Sequence, residues 1–207
     1  MLRTFYRAQE LDMEQLKAVY RQTNYEQGRK RFPREEPDDA LRLAEEDFER
    51  YITEEFYRFP NAFYGVWEEA GQYRCALRME PYRDGFLLTS LETHPDHRRR
   101  GYGTLLIQAT SAAVKASVYA HIFKDNKISM AVHEKCGFCQ ELDYAKLLDG
   151  TVTQRACTMR LEQQDELMKV VYICSNTSIA NQNIQKLKVS DSAKIEGVSD
   201  TRLSMLH

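Results

Sequence analysis

The sequence predicts an α/β fold of the α+β type, in which helices flank a mixed, twisted central sheet. Two observations lead to this prediction. Apolar stretches of strand length alternate with amphipathic helical stretches along the middle of the chain, a pattern typical of a sheet covered by helices. The composition, with 43% hydrophobic and 29% charged residues, is that of a globular protein. The 207 residues are enough for one domain and an extension.

The N-terminal part is predicted to hold a short strand and two helices. Residues 1–8 carry apolar and aromatic anchors of a strand, and Asp12 precedes the first helical stretch. A loop is expected at 28–37. From residue 38 to 56 apolar side chains recur at three- and four-residue spacing, which predicts a second helix that ends before Pro60.

The central part alternates between strand and helix. The alternation implies parallel pairing with right-handed crossovers. The stretch at 86–91 is apolar on both faces, as expected of a strand buried on both sides. In chain order the sequence predicts strands at 62–68, 73–79 and 86–91, a helix at 101–116, a strand at 117–123, a helix at 126–135, and strands at 138–145 and 151–161.

Charge and hydropathy exclude several classes of protein. Lys and Arg number 29 against 31 Asp and Glu, a balance that does not fit a general nucleic-acid binder. No apolar run approaches the ~20 residues that span a bilayer, and the N-terminus lacks the features of a signal peptide. The expectation is a cytoplasmic protein without nucleic-acid or membrane partners. The five cysteines do not suggest a disulfide framework.

The segment that carries chemistry is the loop between the predicted strand at 86–91 and the helix at 101–116. Two glycines let backbone N–H groups approach an anion, and the helix N-terminus adds partial positive charge. Three arginines can close over a phosphate, so the loop is suited to a pyrophosphate. The alternative is a surface turn with solvated arginines. The loop residues are Arg98, Arg99, Arg100, Gly101, Tyr102, Gly103 and Thr104.

Two motifs resemble those of one enzyme family. Arg98-x-x-Gly101-x-Gly103 resembles the Arg/Gln-x-x-Gly-x-Gly/Ala pyrophosphate loop of the GNAT superfamily of acyl-CoA-dependent N-acyltransferases. Downstream, Asn126 and the segment HEKCGF at 133–138 resemble the family's Asn…Tyr-Glu-Lys-x-Gly-Phe segment. Both motifs occur in the family's order, and the resemblance is best between the predicted central strand and the end of the second motif.

The resemblance implies a GNAT-like domain at residues 1–161 that moves an acetyl group from acetyl-CoA to a primary amine by direct attack, without a metal. Backbone groups of Leu91 and Thr93 would bond the pantetheine arm and the thioester carbonyl. Residues 98–104 would hold the pyrophosphate, and Asn126 would contact the coenzyme near diverging strands. The acceptor, a small-molecule or protein amine, stays open, as does the choice between monomer and homodimer.

Attack of an amine on a thioester needs a base and an acid. Relatives of this kind often place a tyrosine acid where His133 stands here, and a histidine can also donate. The alternative is that His133 only packs in its helix, and Tyr144, on the next predicted strand, is then the substitute. Glu92, the only carboxylate in the predicted central strand, is the first candidate base, acting through water. Its alternative is a carboxylate satisfied near Arg98 or Arg99.

The cysteine, histidine and acidic patterns of the sequence give weaker indications of function. The C-x-x-C at 136–139 would straddle a helix end, whereas redox pairs lie at helix N-termini. His94, His97 and His121 lack a helical metal-binding motif. The stretch 35–55 holds ten acids and two arginines, which predicts either a solvated helix face or an acidic rim that attracts a cationic amine.

Two other functions stay open at the level of sequence. One is a CoA-binding regulatory module that keeps the loop but has lost the catalytic acid. The other is a protein-interaction role for the acidic helix together with the C-terminal extension.

The extension at 162–207 differs from the rest of the chain. No aromatic residue follows Tyr172, and only 168–174 suggests a strand. We expect truncation after Glu166 to leave a folded domain, because the residues that it removes offer little apolar surface to bury. Thermal unfolding checks this, and loss of cooperative unfolding in the truncated chain would mean that 168–174 belongs to the sheet.

Overall fold

A computed structural model describes residues 1–162, and the strand predicted at 168–174 lies outside them. The elements follow the predicted order with shifts at their ends. In chain order they are β1 Leu2–Phe5, α1 Met13–Arg31, α2 Pro37–Glu54, β2 Phe63–Glu69, β3 Gln72–Tyr82, β4 Gly85–Thr93, α3 Tyr102–Val114, β5 Ser117–Phe123, α4 Lys127–Lys135, β6 Cys139–Leu142, β7 Ala145–Lys146, β8 Val152–Thr153 and β9 Ala156–Leu161.

Seven strands form one mixed sheet in the order β1-β2-β3-β4-β5-β9-β6, and β7 pairs with β8 in a separate ribbon. The predicted mixed sheet with flanking helices is confirmed. Parallel pairing occurs between β4 and β5. The parallel pairing expected between β5 and the strand after α4 is wrong, because β9 inserts between β5 and β6 and is antiparallel to both.

The last predicted strands are each split in two. Residues 138–145 give β6 and β7, and 151–161 give β8 and β9. The break occurs because β6 follows β9 only as far as Leu142, after which the chain leaves the sheet and β7 pairs with β8. Tyr144 therefore lies between two strands rather than within one.

Side chains of β2 and β3 alternate between two cores, as the period of a strand requires. This alternation gives the sheet an α1–α2 face and an α3–α4 face, and each face is closed by burial of large apolar side chains, worth ~1.5–3 kcal/mol apiece. On the α1–α2 face the buried residues include Leu16, Val19, Ile52, Phe56, Tyr64, Val66 and Ala76. On the α3–α4 face they include Phe63, Leu77, Met79, Leu88, Leu106, Ile107 and Phe138.

Helix α1 continues to Arg31, through the start of the loop expected at 28–37. Packing against α2 explains the difference. Gly28 is buried, and a Cβ placed there would lie 2.3 Å from the carbonyl oxygen of Ala40. The missing side chain lets the two helices cross closely, and this contact holds the last turn of α1. Among the described residues no helix has the length and apolarity to cross a bilayer.

Replacement of Gly28 by alanine should destabilise the domain. Alanine favours a helix by up to ~1 kcal/mol, but the added Cβ forces α1 and α2 apart, and overpacking of this kind costs ~1–3 kcal/mol. We expect a lower melting temperature for Gly28→Ala. The matched control is Gly103→Ala, a second helical glycine whose added Cβ meets no atom closer than 3.8 Å. Equal melting temperatures of Gly28→Ala and the parent would contradict the close crossing.

Candidate active site

Strands β4 and β5 separate halfway along their length. They pair over residues 85–88 and 117–120. Beyond that point β4 bonds to β3 and β5 bonds to β9, so the two facing edges keep their backbone groups free of each other. Because edge N–H and C=O groups are ready partners for an extended chain, the gap between the strands is a slot for an extended ligand.

A β-bulge in β4 borders this gap. Thr89 pairs with Arg78 and Glu92 pairs with Ala76, so Ser90 and Leu91 together face one residue of β3. Ser90 has a φ of 49°, and its carbonyl accepts a 2.6 Å hydrogen bond from the Tyr20 hydroxyl of α1. Bulges redirect the side chains and backbone groups next to them, and here the bulge lies where the two strands part.

The loop after β4 leads to the N-terminus of α3. Gly101 has a φ of 83°, a left-handed conformation that favours glycine, and it caps the helix. The first main-chain bond into α3 joins the N–H of Leu105 to the Gly101 carbonyl at 3.0 Å. The preceding N–H groups, at 102–104, are the unpaired donors of a helix start. A Cβ at Gly103 would meet only Leu91 and Thr93, at 3.8 Å, so space is open beside these donors.

The three arginine side chains of the loop are exposed. Arg98 donates from Nε to the Thr93 carbonyl at 3.3 Å. The Tyr102 hydroxyl donates to Glu69 at 2.6 Å. The loop therefore offers two kinds of donor, the main-chain N–H groups of the helix start and exposed guanidinium groups.

Asn126 caps α4. Its side-chain oxygen accepts a hydrogen bond from the Ser129 N–H at 3.0 Å, the usual task of an asparagine at a helix start. The oxygen is thus occupied by the helix, which leaves the amide nitrogen to reach a ligand.

His133 is buried, with 2% of its surface exposed, and packs edge-on against Phe138. Its Nδ1 lies 2.8 Å from the Ser129 carbonyl, and because a carbonyl only accepts, Nδ1 carries a hydrogen. Nε2 is buried and has no hydrogen-bond partner within residues 1–162. Burial lowers the pKa of His133, so the ring is held neutral with an unprotonated Nε2.

Glu92 contacts both helix α1 and the loop that follows β4. Thr23 of α1 donates to one carboxylate oxygen at 2.6 Å, and the Arg98 guanidinium lies 3.8 Å from the other. Burial nevertheless raises the pKa of Glu92, with the Thr23 hydrogen bond and Arg98 acting in the opposite direction. The contact with Arg98 is the one expected of the alternative in which Glu92 is a carboxylate satisfied by an arginine, while the contact with Thr23 had no signal in the sequence.

Residues 21–138 match the family model described as the acetyltransferase (GNAT) family. The chain belongs to the GNAT acetyltransferase family. The matched stretch begins in α1 and ends just after α4, and it includes both motifs and the separating strands. The protein is therefore an acyltransferase of the GNAT type.

Two solved structures share the GNAT fold with this chain. The PaiA N-acetyltransferase from Thermoplasma acidophilum, in complex with coenzyme A, is 12% identical with a TM-score of 0.53, covering 79% of this chain and 99% of that one. Aminoglycoside 6'-acetyltransferase type Ii is 16% identical with a TM-score of 0.51, covering 78% of this chain and 96% of that one. No curated protein matches the chain. At these identities the likeness concerns the fold.

In this GNAT domain Tyr144, the third candidate catalytic residue, lies at the surface beside β9. It is 37% exposed, and its backbone carbonyl accepts a hydrogen bond from Thr158 at 2.8 Å. Thr158 pairs with His121, the first residue of β5 beyond the parallel pairing. Tyr144 is thus tied to the β5 side of the gap, and no hydrogen bond between described residues links it to Glu92 or His133.

The remaining cysteine and histidine patterns show neither a redox pair at a helix N-terminus nor a metal-binding group within residues 1–162. The C-x-x-C at 136–139 lies at the C-terminus of α4, where burial raises the pKa of Cys136, and this disfavours a reactive thiolate. His97 lies against the Arg74 guanidinium. Within residues 1–162 no group of three His, Cys, Asp or Glu is placed to hold a metal ion.

A cavity of about 360 Å³ opens on the α1–α2 face, and we call it the α1–α2 cavity. It reaches the bulged strand at Ser90 and Glu92. The other residues that matter for its chemistry are Tyr20, Asn24, Arg31, Asp47, Phe48, Tyr51 and Arg78. Of the ten acids in the stretch 35–55 only Asp47 lines this cavity, and Asp47 pairs with Arg31 at 2.8 Å and with Arg50.

Two further acids of that stretch face a neighbouring cavity. Glu54 and Glu55 line this second space, of about 420 Å³, together with Glu80 and Arg58. Tyr51 borders both cavities. Of the ten acids at 35–55, Asp47 therefore lines a cavity with paired charges, and Glu54 and Glu55 line one with an excess of carboxylates.

Proposed function

We propose that this GNAT domain transfers an acetyl group from acetyl-CoA to a primary amine by direct attack on the thioester. The observation that carries the proposal is the gap between β4 and β5, which lies beside the unpaired N–H groups and the open space at the start of α3. An extended pantetheine arm suits the gap, and a pyrophosphate suits the helix start.

Specific residues would hold the coenzyme. Main-chain groups of Leu91 and Thr93 border the gap at the bulged end of β4 and would bond the arm. The N–H groups of residues 98–104 would bond the pyrophosphate, with Arg98 and its neighbours closing over it. The amide nitrogen of Asn126 would add a contact from the β5 side, since its oxygen caps α4.

Two protons must move during transfer to an amine that arrives protonated. Glu92, through water, would accept the first and leave a neutral nucleophile. The nitrogen bonds to the carbonyl carbon, the carbon–sulfur bond breaks, and the nitrogen loses a second proton while the thiolate gains one. His133 would carry this proton, because neutral Nε2 can accept it and the charged ring can release it to sulfur. Tyr144 is the alternative acid.

A thiol-release assay tests the proposal. Acetyl-CoA is mixed with the enzyme and a panel of amines, and free CoA is measured with a thiol reagent. Amine-dependent release of CoA is the expected result. A chain that binds acetyl-CoA by calorimetry but releases no CoA with any amine would instead be a CoA-binding module.

Glu92→Gln should abolish the acidic limb of the plot of kcat/KM against pH. Because burial raises the pKa of Glu92, the carboxylate becomes a base only above the ordinary glutamate range, and we expect kcat/KM of the parent to rise with pH through that raised pKa. In Glu92→Gln the rate should be low and this limb absent. The matched control is Glu26→Gln, an exposed acid on the neighbouring helix. It should keep the limb but shift it to lower pH, because the Glu26 charge contributes to the raised pKa of Glu92.

The same pKa shift has a consequence for stability. The folded chain binds the Glu92 proton more tightly than the unfolded chain does, so the free energy of unfolding falls as pH rises from the unfolded pKa through the folded one. Glu92→Gln should remove this part of the fall in a series of thermal melts. In the kinetic experiment, a rise of kcat/KM with pH that persists in Glu92→Gln would assign the base to another group.

A further inference from the structure

The charges that line the α1–α2 cavity are balanced. Arg31 and Arg78 face Asp47 and Glu92. Asp47 is neutralised within the protein by Arg31 and Arg50. The two charges of the lining without a close ion pair are the Arg78 cation on β3, whose nearest carboxylate oxygen is 3.9 Å away, and the Glu92 carboxylate at the bulged end of β4, whose nearest guanidinium is 3.8 Å away.

Arg78 is a buried cation without a well-placed counterion. Its side chain is 18% exposed and lies over the rings of Tyr51 and Phe56, at 5.0 and 5.8 Å. The nearest carboxylate oxygen, on Glu80, is 3.9 Å from Nε, and that same oxygen already accepts a hydrogen bond from Thr89 at 2.9 Å. Nε has no hydrogen-bond partner among the described residues. A buried guanidinium is well stabilised only when its donors meet acceptors at good geometry.

Asn24 adds a second unused donor to the same cavity. Its side chain belongs to α1 and is 4% exposed, and its amide nitrogen has no partner within residues 1–162. Buried donors are nearly always bonded in folded proteins. A guanidinium and an amide nitrogen that line one cavity form a donor set suited to a carboxylate.

The position of Arg78 relative to Glu92 sets the size of the ligand. The Arg78 guanidinium donates to the Ser90 hydroxyl, and Glu92 pairs with Ala76, two residues from Arg78 on β3. At a rise of ~3.3 Å per residue along β3, the backbone positions of Arg78 and Glu92 are roughly 7 Å apart along the sheet. A small molecule can therefore place one end at Arg78 and the other beside Glu92.

We propose that the acceptor is a small zwitterion, an amine that also carries a carboxylate, of the amino-acid class. Its carboxylate binds Arg78 and Asn24, and its amine lies toward Glu92 and the gap between β4 and β5. The aromatic walls formed by Tyr20 and Phe48 favour an apolar or aromatic side chain. This inference rests on the proposed acetyl transfer. A polyamine would bring a second cation against Arg78, which cannot lose its charge.

Matched pairs of acceptors test the inference on the unaltered chain. Phenylalanine and methionine are each compared with their carboxamides in the thiol-release assay. We expect kcat/KM to be at least ~10-fold higher for the free acid. The comparison is stringent, because conversion of the carboxylate to an amide lowers the pKa of the amine. A larger fraction of the carboxamide is therefore the neutral nucleophile, which by itself would favour the carboxamide. Calorimetry of the same pairs with the CoA-loaded enzyme reads the preference without turnover.

Variants locate the preference in the cavity. Arg78→Gln should bring the ratio of acid to amide to about one, while Arg31→Gln, the cavity's other arginine, should keep it. Because Arg78→Gln leaves Glu80 buried without its nearest cation, the double variant Arg78→Gln with Glu80→Gln is prepared beside it, and each is checked by a thermal melt.

The outcomes separate this inference from the proposed function. Equal rates and equal binding for the free acid and its carboxamide, or a preference for a diamine, would overturn the inference of a zwitterionic acceptor and leave acetyl transfer intact. Binding of the free acid but not of its carboxamide, with no CoA release from any amine, would support a site for zwitterions and refute acetyl transfer. A preference that survives in a folded Arg78 double variant would also overturn the inference.

Discussion

Gly103→Asp should weaken acetyl-CoA binding by roughly 10²–10³-fold while the domain stays folded. The new carboxylate would stand beside the N–H groups at the start of α3. Two like charges ~4 Å apart repel by ~4 kcal/mol at an effective dielectric constant of about 20, which corresponds to about a thousandfold in affinity. Calorimetric titration with acetyl-CoA measures the effect.

Folding should not be the cause of the loss. A Cβ at Gly103 meets no atom closer than 3.8 Å, and a negative charge in the first turn of a helix is favourable by ~0.3–1 kcal/mol. The melting temperature of Gly103→Asp should therefore match or exceed that of the parent. Gly103→Ala is the control for bulk without charge, and its binding should change little. A folded Gly103→Asp with parental affinity would show that the loop does not bind the pyrophosphate.

His133→Phe should lower turnover by ~10²–10⁴-fold and leave acetyl-CoA affinity almost unchanged, because it removes the proton carrier but no coenzyme contact. The ring site is buried and apolar beside Phe138, so a second variant separates chemistry from packing. In His133→Asn the amide nitrogen can keep the hydrogen bond to the Ser129 carbonyl while the group at Nε2 is lost. We expect the same loss of turnover in both variants, with thermal melts to compare their folding.

Tyr144→Phe is the matched test of the alternative acid. It removes one hydroxyl from a side chain that is 37% exposed, so its effect on stability should be small. If His133 carries the proton, Tyr144→Phe keeps nearly full turnover. The reverse pattern, with parental rates in His133→Phe and a large loss in Tyr144→Phe, would transfer the role to Tyr144.

Local patterns were sufficient for much of the fold. Helical periodicity located α2, α3 and α4, and the buried apolar strand at 86–91 located β4, because these signals come from which side chains face a core. The glycines at 101 and 103 and the neighbouring arginines located the proposed anion-binding loop, since the requirement for a small residue next to a helix start is itself local. Both family motifs are also contiguous in sequence.

Contacts between distant segments decided the rest. The end of α1 depends on Gly28 meeting the backbone of α2, and the place of β9 between β5 and β6 depends on pairing across the whole C-terminal part of the described chain. The bulge at Ser90 and the separation of β4 from β5 follow from how three strands pair.

The candidate site shows the same division. The sequence singled out Glu92 and His133 by residue type and position, but their protonation depends on burial and on partners in other turns or helices, Thr23 and the Ser129 carbonyl. Arg78 had no signal at all, because one arginine in a strand has the same local pattern whether it faces water or a core. Only the packing of α1 and α2 over β3 and β4 encloses it with Asn24 and Glu92. The chain's local sequence therefore determined where the proposed coenzyme site lies. Tertiary packing determined which charges line the proposed acceptor cavity, because those charges come from distant segments.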